Sequence, residues 1–565
     1  MMTTPGIFGW IIPTLSTPDT VFLQRCGLDA YFFLRFLQTL LKMFIPLAFV
    51  VLPILLTLNL ACGNSGVSKV RGLDKLSWAN FGMTHSNYYW AYLILALSTI
   101  VHFCYTIYLE FCEYVRIRQE YLVSSLHCHQ VSATTIFLTG IPNNLLSSER
   151  LSELYKDLFD GVQDVWINQD CSRLLSKVKQ RDKIVALLEA AETKLIAKAV
   201  KAHGKLCYNA SGPEKSRPTQ LYSESSVPVW KQYLRDEDRA CVRLPICGSA
   251  WMPGLPFIGR KVDVIEHCRQ QLARLNTEIE TDQLDPKKHP LLNSAFIRFH
   301  SQKAAHLACR VTAYCSPHIL VPQFVDVSPE DVIWESLLVR WWGDYARRYL
   351  IIVFIVIIIM GWSIPIAFTG LLSQISYLVP LLPWLHGLER MPKWLLGFVQ
   401  GLLPQAILMV LTMLLPITVR LLAEQQGFST GMFIELAVQR YYFSLLFLQV
   451  FLTVSLSSSA TTILGDIFDR PGSIPSMLAT NIPKTSNYFY SYMLLQALSI
   501  SANALIQVAR LMEWFFLTSL MDRTPRQKWK RKANVPEMQW GTIYPVYTNL
   551  ACIGMLDKRS YSSMH

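Results

Sequence analysis

Six stretches of this chain contain no Asp, Glu, Lys or Arg: Met43–Ala61, Tyr88–Leu109, Tyr349–Leu372, Leu395–Val419, Tyr441–Leu464 and Ser486–Ala509. A bilayer core about 30 Å thick is crossed by roughly 20 apolar residues in a helix, because in hydrocarbon every backbone N–H and C=O must be satisfied within the segment. Each stretch meets that requirement, so the expectation is an all-α polytopic membrane protein with six spans. Composition points the same way. Of 565 residues 52% are hydrophobic and 16% charged, with a mean hydropathy of +0.28, too apolar for an ordinary water-soluble chain.

Basic residues set the orientation, since Lys and Arg accumulate beside the cytoplasmic ends of spans. With the N-terminus inside, the inner flanks hold Arg116, Arg118, Arg340, Arg347, Arg348, Arg420, Arg440 and the run from Arg523 to Lys532. The outer flanks hold only Lys69, Arg71, Lys75, Arg390, Lys393, Arg470 and Lys484. The formal net charge of +12 is then partly an attraction to anionic lipid head groups, worth about 1 kcal/mol per residue near the surface. Nucleic acid would use the same charges.

Five regions follow: a cytosolic segment 1–42, two spans in 43–109, a cytosolic region 110–340, four spans in 341–519, and a basic cytosolic segment with the start of a further span in 520–565. The first 34 residues lack a secretory signal of the usual form. Of 13 cysteines only Cys62 falls in an expected outer loop and none forms a C-x-x-C pair, which fits a reducing compartment. His127-Cys128-His129 is read as no metal site, because adjacent side chains diverge and zinc needs convergent ligands. The sequon Asn209-Ala210-Ser211 falls inside and is expected to stay unmodified.

In the region 110–340 the pattern reads as strand (Thr134–Pro142), helix (Ser148–Phe159), strand (Gly161–Asp170), a long charged helix (Ser172–His203) with an antiparallel partner (Lys261–Gln283), strand (Ser294–Ser301), helix (Gln302–Thr312) and strand (Gln323–Val327). Between the long helices, Gly204–Gly259 reads as irregular. That order resembles the RNA-recognition-motif fold, with Ile136–Ile141 and Ala295–Phe299 in the places of its two signatures. RNA binding by that fold needs stacked aromatics and a basic residue. Phe137 and Phe296 have the right chemistry, but Ser294 and Leu292 fill the other positions, so a structural α+β cytosolic domain is expected and no nucleic-acid partner.

Polar residues inside the spans are the candidate functional set. Tyr492, Gln496, Ser499, Asn503 and Gln507 recur at three- and four-residue steps along the sixth stretch, and Gln449, Thr453, Ser457 and Thr461 along the fifth. Such stripes avoid lipid by packing on one another or by lining water, and two long neighbouring stripes favour a hydrated pathway. Pro365, Pro404 and Pro416 interrupt the third and fourth stretches and are candidate hinges. The spans lack carboxylate pairs, a metal set or a nucleophile with its base, and the region 110–340 has no phosphate-binding glycine loop, so an enzyme is not expected, nor a cofactor.

The segments Gly27–Leu37, IFLTGIP, SAFIRF, Val327–Leu337, the IPIAF of the third stretch, Gln439–Leu452, Leu478–Gln496 and Trp540–Leu550 run in an order that resembles the OSCA family of calcium-permeable, stress-gated cation channels, its fungal members most of all. The resemblance implies an anoctamin-like channel fold of about eleven spans in the plasma membrane, opened by membrane tension or hyperosmotic stress. It also implies that the third to sixth spans and the next one surround a pore for cations including calcium. Glu389, Asp466 and Asp469 would stand at its outer mouth, where they read equally as solvated loop charges. Members of the family have a further span before the segment at Gly6, and several after the one begun by Tyr544-Pro545-Val546, whose apolar run of about twelve residues is too short to cross. The expectation is therefore a truncated form, in which a pore missing one wall need not conduct. A lipid scramblase, or a non-conducting regulator, remains open beside the channel. Partners implied are membrane lipids, a second copy of the chain, or full-length relatives.

Overall fold

The computed structural model describes residues 9, 11–61, 89–156, 161–210, 239–244, 260–285, 288–311, 314, 320, 323–338, 341–362, 414–448, 493, 496–517, 522, 524–533 and 539–559. In chain order the principal elements are α1 (Asp19–Ala61), α2 (Tyr89–Val123), β1 (Thr135–Thr139), α3 (Ser148–Tyr155), β2 (Val162–Gln169), α4 (Ser172–Ala210), β3 (Cys241–Leu244) and β4 (Arg260–Asp263). There follow α5 (Val264–Leu284), β5 (Leu291–Phe299), α6 (Gln302–Ala308), β6 (Gln323–Val325), α7 (Trp341–Gly361), α8 (Gly431–Leu446), α9 (Pro525–Ala533) and α10 (Trp540–Arg559). They fall into two compact units, one formed by residues 1–166, 293–499 and 538–565, the other by 167–292 and 500–537.

In the first unit, α1 and α2 form an antiparallel hairpin. Arg35 pairs with Glu110 near one end, Phe44 meets Phe103 edge-on at 5.6 Å further along, and Met43, Leu47, Val51 and Phe103 are buried between the helices. Among the described residues these are the two helices long and apolar enough to cross a membrane, over 19–58 and 90–123. Both outrun the expected spans. From Gly27 onward α1 measures about 50 Å at 1.5 Å per residue, well beyond a hydrocarbon core of about 30 Å. Gly27 itself sits at φ 83°, a left-handed conformation that costs glycine little, and breaks the helix there. Pro46 and Pro53 lie inside α1; the Thr57 hydroxyl donates to the Pro53 carbonyl at 2.8 Å.

The sheet of this unit has the strand order β2-β5-β1-β6, and β1 runs antiparallel to both of its neighbours. All five residues of β1 are buried, so the sheet is covered on both faces. On one face Ile136, Leu138, Ile297 and Phe299 lie with Leu151 and Tyr155 of α3 and the alanines of α6 in the buried core. On the other, Phe137 and Phe296 stand opposite each other in register, ring centroids 4.8 Å apart, and pack with Val332. The helices start as their sequences dictate: Ser147 and Ser301 accept the backbone N–H of Arg150 and Ala304, as N-caps do.

A second core joins α7, the helical residues 414–425, and α8, through Ile351, Ile355, Ile359, Leu415, Val419 and Val438, with Val546 of α10 packed against it. The last helix is longer than its apolar run suggested. It has 20 residues from Trp540, about 30 Å, because its first turn is held outside the apolar run, where the Gly541 N–H donates to Glu435 at 2.9 Å. The third to sixth expected spans lie partly outside the described residues.

In the second unit α4 and α5 are antiparallel partners: Lys177 pairs with Asp282 at 2.7 Å, and Arg269 pairs with Glu192 at 2.9 Å. Ala191, Leu195 and Ile265 are buried between them. The Asp263 carboxylate caps α5 through the Ile265 N–H at 3.0 Å. The expectation of irregular structure over 204–259 is corrected in two places. α4 continues to Ala210, and Cys241–Leu244 pairs with Arg260–Asp263 as a two-stranded sheet, whose strands of four residues, CVRL and RKVD, are too brief for a pattern to be read from sequence.

Candidate functional site

The candidate pore residues Gln449, Thr453, Ser457, Thr461 and Tyr492, and the candidate hinges Pro365 and Pro404, lie outside the described residues, as do Glu389, Asp466 and Asp469. Gln496, Ser499 and Asn503 are on the helical residues 496–506, Gln496 half-buried and the other two exposed. Gln507 departs from the helix. Its φ of 49° interrupts the α-helical register between residue 506 and the helix Val508–Met512, although its N–H still donates to the Asn503 carbonyl at 2.8 Å. The three- and four-residue spacing therefore runs to Asn503 in regular helix and reaches Gln507 through a backbone break. A positive φ at a residue with a side chain is uncommon, and periodicity carries no signal of it. Pro416 is within the helical residues 414–425, between the buried Leu415 and Val419.

What the structure brings together, and spacing did not reveal, is a junction between the sheet and the helices. After β6 the chain passes over the Phe137/Phe296 face as the strap 327–338, where Val332 is 4% exposed and Leu337 packs beside it. The strap then bonds to the turn 426–431 that precedes α8. Val332 forms a β-bridge with Thr430, the Ile333 N–H donates to the Ser429 carbonyl at 2.9 Å, and the Gly431 N–H donates to the Asp331 carbonyl at 3.0 Å. The Ser336 hydroxyl donates to the Phe428 carbonyl at 2.8 Å, and Phe324 of β6 lies 4.9 Å from Phe433 of α8. A Cβ at Gly431 would stand 2.6 Å from a carboxylate oxygen of Asp331, so that side chain would have to swing aside to admit one. The Arg348 guanidinium of α7 rests 5.5 Å from the centre of the Phe428 ring, a cation–π contact with the turn.

Beneath the turn, polar side chains bind the helices to one another. The Gln426 amide and the Tyr441 hydroxyl are hydrogen-bonded at 2.8 Å, and Glu435 takes Arg420 with one carboxylate oxygen and the Gly541 N–H with the other. The strap also settles the chemistry of Phe137 and Phe296, because both rings are buried under it and neither presents a face to a base. His127, Cys128 and His129 diverge: His127 is buried with its Nε2 3.7 Å from Asp326, while Cys128 and His129 are exposed.

A sheet bonded through the strap to helices, beside two helices long and apolar enough to cross a membrane, fits a polytopic helical membrane protein. Three family models match it in order: "Late exocytosis, associated with Golgi transport" over residues 2–110, "Cytosolic domain of 10TM putative phosphate transporter" over 133–336, and "Calcium-dependent channel, 7TM region, putative phosphate" over 347–562. The "Uncharacterized protein RSN1" of Saccharomyces cerevisiae is 34% identical over 548 residues, covering 97% of this chain and 55% of that protein. An uncharacterized membrane protein of Schizosaccharomyces pombe is 31% identical, covering 97% and 59%. The "Hyperosmolality-gated Ca2+ permeable channel 1.5" of Arabidopsis thaliana is 22% identical, covering 92% and 63%. This chain belongs to the OSCA family. It spans just over half the length of its two fungal relatives.

Proposed function

We propose that this chain is the conducting part, or a large piece of it, of a calcium-permeable cation channel gated by osmotic or mechanical stress. The observation that carries the reading is the match to the Arabidopsis hyperosmolality-gated channel across 92% of the chain, soluble and helical parts alike. In this reading the six apolar stretches are spans of an anoctamin-like fold, and the region 110–340 is a cytosolic domain of RNA-recognition-like type. The strand order β2-β5-β1-β6, with β1 antiparallel to both neighbours, supports that domain assignment. The stripes ending at Thr461 and Gln507 line the pathway, and Pro365, Pro404 and Pro416 allow their helices to bend.

Tension favours the conformation of larger membrane area, so it acts first on the helices. Any displacement of α8 is carried by the turn 426–431 into the strap, and through Val332 into the sheet. The soluble unit then acts as a mechanical anchor for one end of the pore helices. A second copy of the chain, or a longer relative, would complete the assembly. The plasma membrane is the proposed site; the Golgi-associated description matched by residues 2–110 favours an internal membrane as a second reading.

Patch recording from liposomes containing the purified chain tests the function. Suction or a hyperosmotic step should evoke calcium-permeable current, and Asn503→Leu should reduce it. Suction-insensitive patches, together with transfer of fluorescent lipid between leaflets, would replace the channel with a scramblase. Current equal to wild type in N503L would remove Asn503 from the pathway.

A further inference from the structure

Residues 508–533 place an aromatic group and a basic helix side by side. The π-helical turn Glu513–Leu517 exposes Trp514, Phe515 and Phe516, at 52%, 60% and 68%. Trp at the end of an apolar helix favours the head-group level of a bilayer, where its amphipathic ring meets both phases, and Phe515 and Phe516 beside it add exposed apolar surface. Helix α9, PRQKWKRKA, has five basic residues and no acidic one. Two of the five are used inside the protein. Arg531 donates to Asp522 at 2.8 and 2.9 Å and to Glu513 at 2.7 Å, and Arg526 pairs with Glu189 of α4 at 3.1 Å.

The Arg531 contacts matter for position. Glu513 opens the aromatic turn, so its bond to Arg531 holds α9 against the end of the helix that carries Trp514. Lys528, Lys530 and Lys532 are left exposed, and Trp529, 67% exposed, stands among them. Three lysines with a tryptophan, fixed beside an aromatic belt, match an anionic head-group layer in charge and in depth. Solvent alone explains the lysines but leaves a large apolar ring exposed.

We infer that α9 is a docking site for anionic phospholipid head groups of the adjacent leaflet, with Lys528, Lys530 and Lys532 contacting phosphate and carboxylate groups and Trp529 entering the interface. Arg531 positions the helix and does not bind lipid. The inference rests on the chain being a membrane protein and is independent of conduction.

The full chain in detergent, titrated with mixed micelles containing phosphatidylserine or phosphatidylcholine, provides the test. Phosphatidylserine should bind preferentially and lose affinity as salt rises. K528Q/K530Q/K532Q should weaken it by about five-fold per lysine removed, the factor that corresponds to about 1 kcal/mol each. Trp529→Ala should weaken it further without changing the salt dependence. K194Q/K201Q/K205Q removes the same charge from exposed positions of α4 and should bind as wild type. A melting temperature equal to wild type in each variant shows that the fold is kept, since all the side chains concerned are exposed. Equal losses in both triple variants, unchanged binding in the α9 variant, or displacement of lipid by polyglutamate at matched charge would each overturn the proposal; the last would reassign α9 to an acidic protein partner.

Discussion

Glu435 of α8 accepts the backbone N–H of Gly541, the second residue of α10, at 2.9 Å, while its other carboxylate oxygen holds Arg420. One side chain therefore fixes three helices at a common level. A Cβ at position 541 would stand 2.5 Å from the Glu435 carboxylate and 2.6 Å from its carbonyl oxygen, and the carbonyl has no freedom to retreat. Gly541→Ala should therefore destabilise the helical core by about 1–3 kcal/mol, the usual cost of overpacking, and lower the melting temperature in detergent. Glu435→Ala should cost more, about 3–5 kcal/mol, because it strands the part-buried Arg420. Melting of G541A at the wild-type temperature would show that the contact is slack.

The strap makes a prediction about coupling. Val332→Asp puts a charge where 4% of the side chain meets solvent, under Phe137 and Phe296. Hydrogen exchange should rise in residues 327–338 and also in 426–431, since the β-bridge to Thr430 is lost with the strap. Ser336→Ala removes one hydrogen bond and should cost about 1 kcal/mol with a smaller, local increase. Exchange confined to 327–338 in V332D would mean that the turn stands without the strap.

The α4–α5 pair should open in acid. Lys177 holds the Asp282 carboxyl below its ordinary 3.8, and Arg274, then Lys177, hold Glu278 below 4.5. An acid whose folded value is depressed contributes stability above its unfolded value and loses it as pH falls through the folded one. Lys177, raised above 10.5 chiefly by its bond to Asp282, keeps its contribution until pH rises past that value. Spin labels at Lys183 and Thr277 should report a constant separation from about pH 5 to about pH 10 and a broader one below about pH 4. Asp282→Asn should flatten the acid limb, and a separation that stays constant in the wild type at pH 3 would show that the pairs contribute nothing.

Thiol chemistry should separate Cys128 from Cys309. Burial pushes the Cys309 thiol up to about 11, whereas Cys128 is exposed. At pH 7.5 roughly one Cys309 in several thousand is ionised, so maleimide should label Cys128 and spare Cys309 over minutes. Equal labelling rates at Cys128 and Cys309, read peptide by peptide by mass spectrometry, would contradict this burial.

The order of strands and helices in the region 110–340 was legible because alternation and helical spacing change from element to element: β1 begins one residue after its expected start, and α3 and α4 begin where Ser148 and Ser172 were read. The partner of α4 was legible too, since opposite charges at helical spacing need an antiparallel mate. The pairing of Cys241–Leu244 was not, because a two-stranded ribbon gains its stability from the second strand rather than from its own pattern. The stripe read through Asn503 lost its regular geometry at Gln507, where backbone conformation departs from what residue type suggests.

Sequence alone determined that this chain enters a membrane and carries a soluble α+β insertion, because apolar length and alternation act residue by residue through water and lipid. It also made Phe137 and Phe296 neighbours in kind. Only the tertiary structure decided that Val332 covers them, that the strap bonds to the turn before α8, and that Glu435 reaches Gly541. Those contacts join residues from 36 to 195 positions apart, and their energy exists only when both surfaces are already formed, so no local pattern records them.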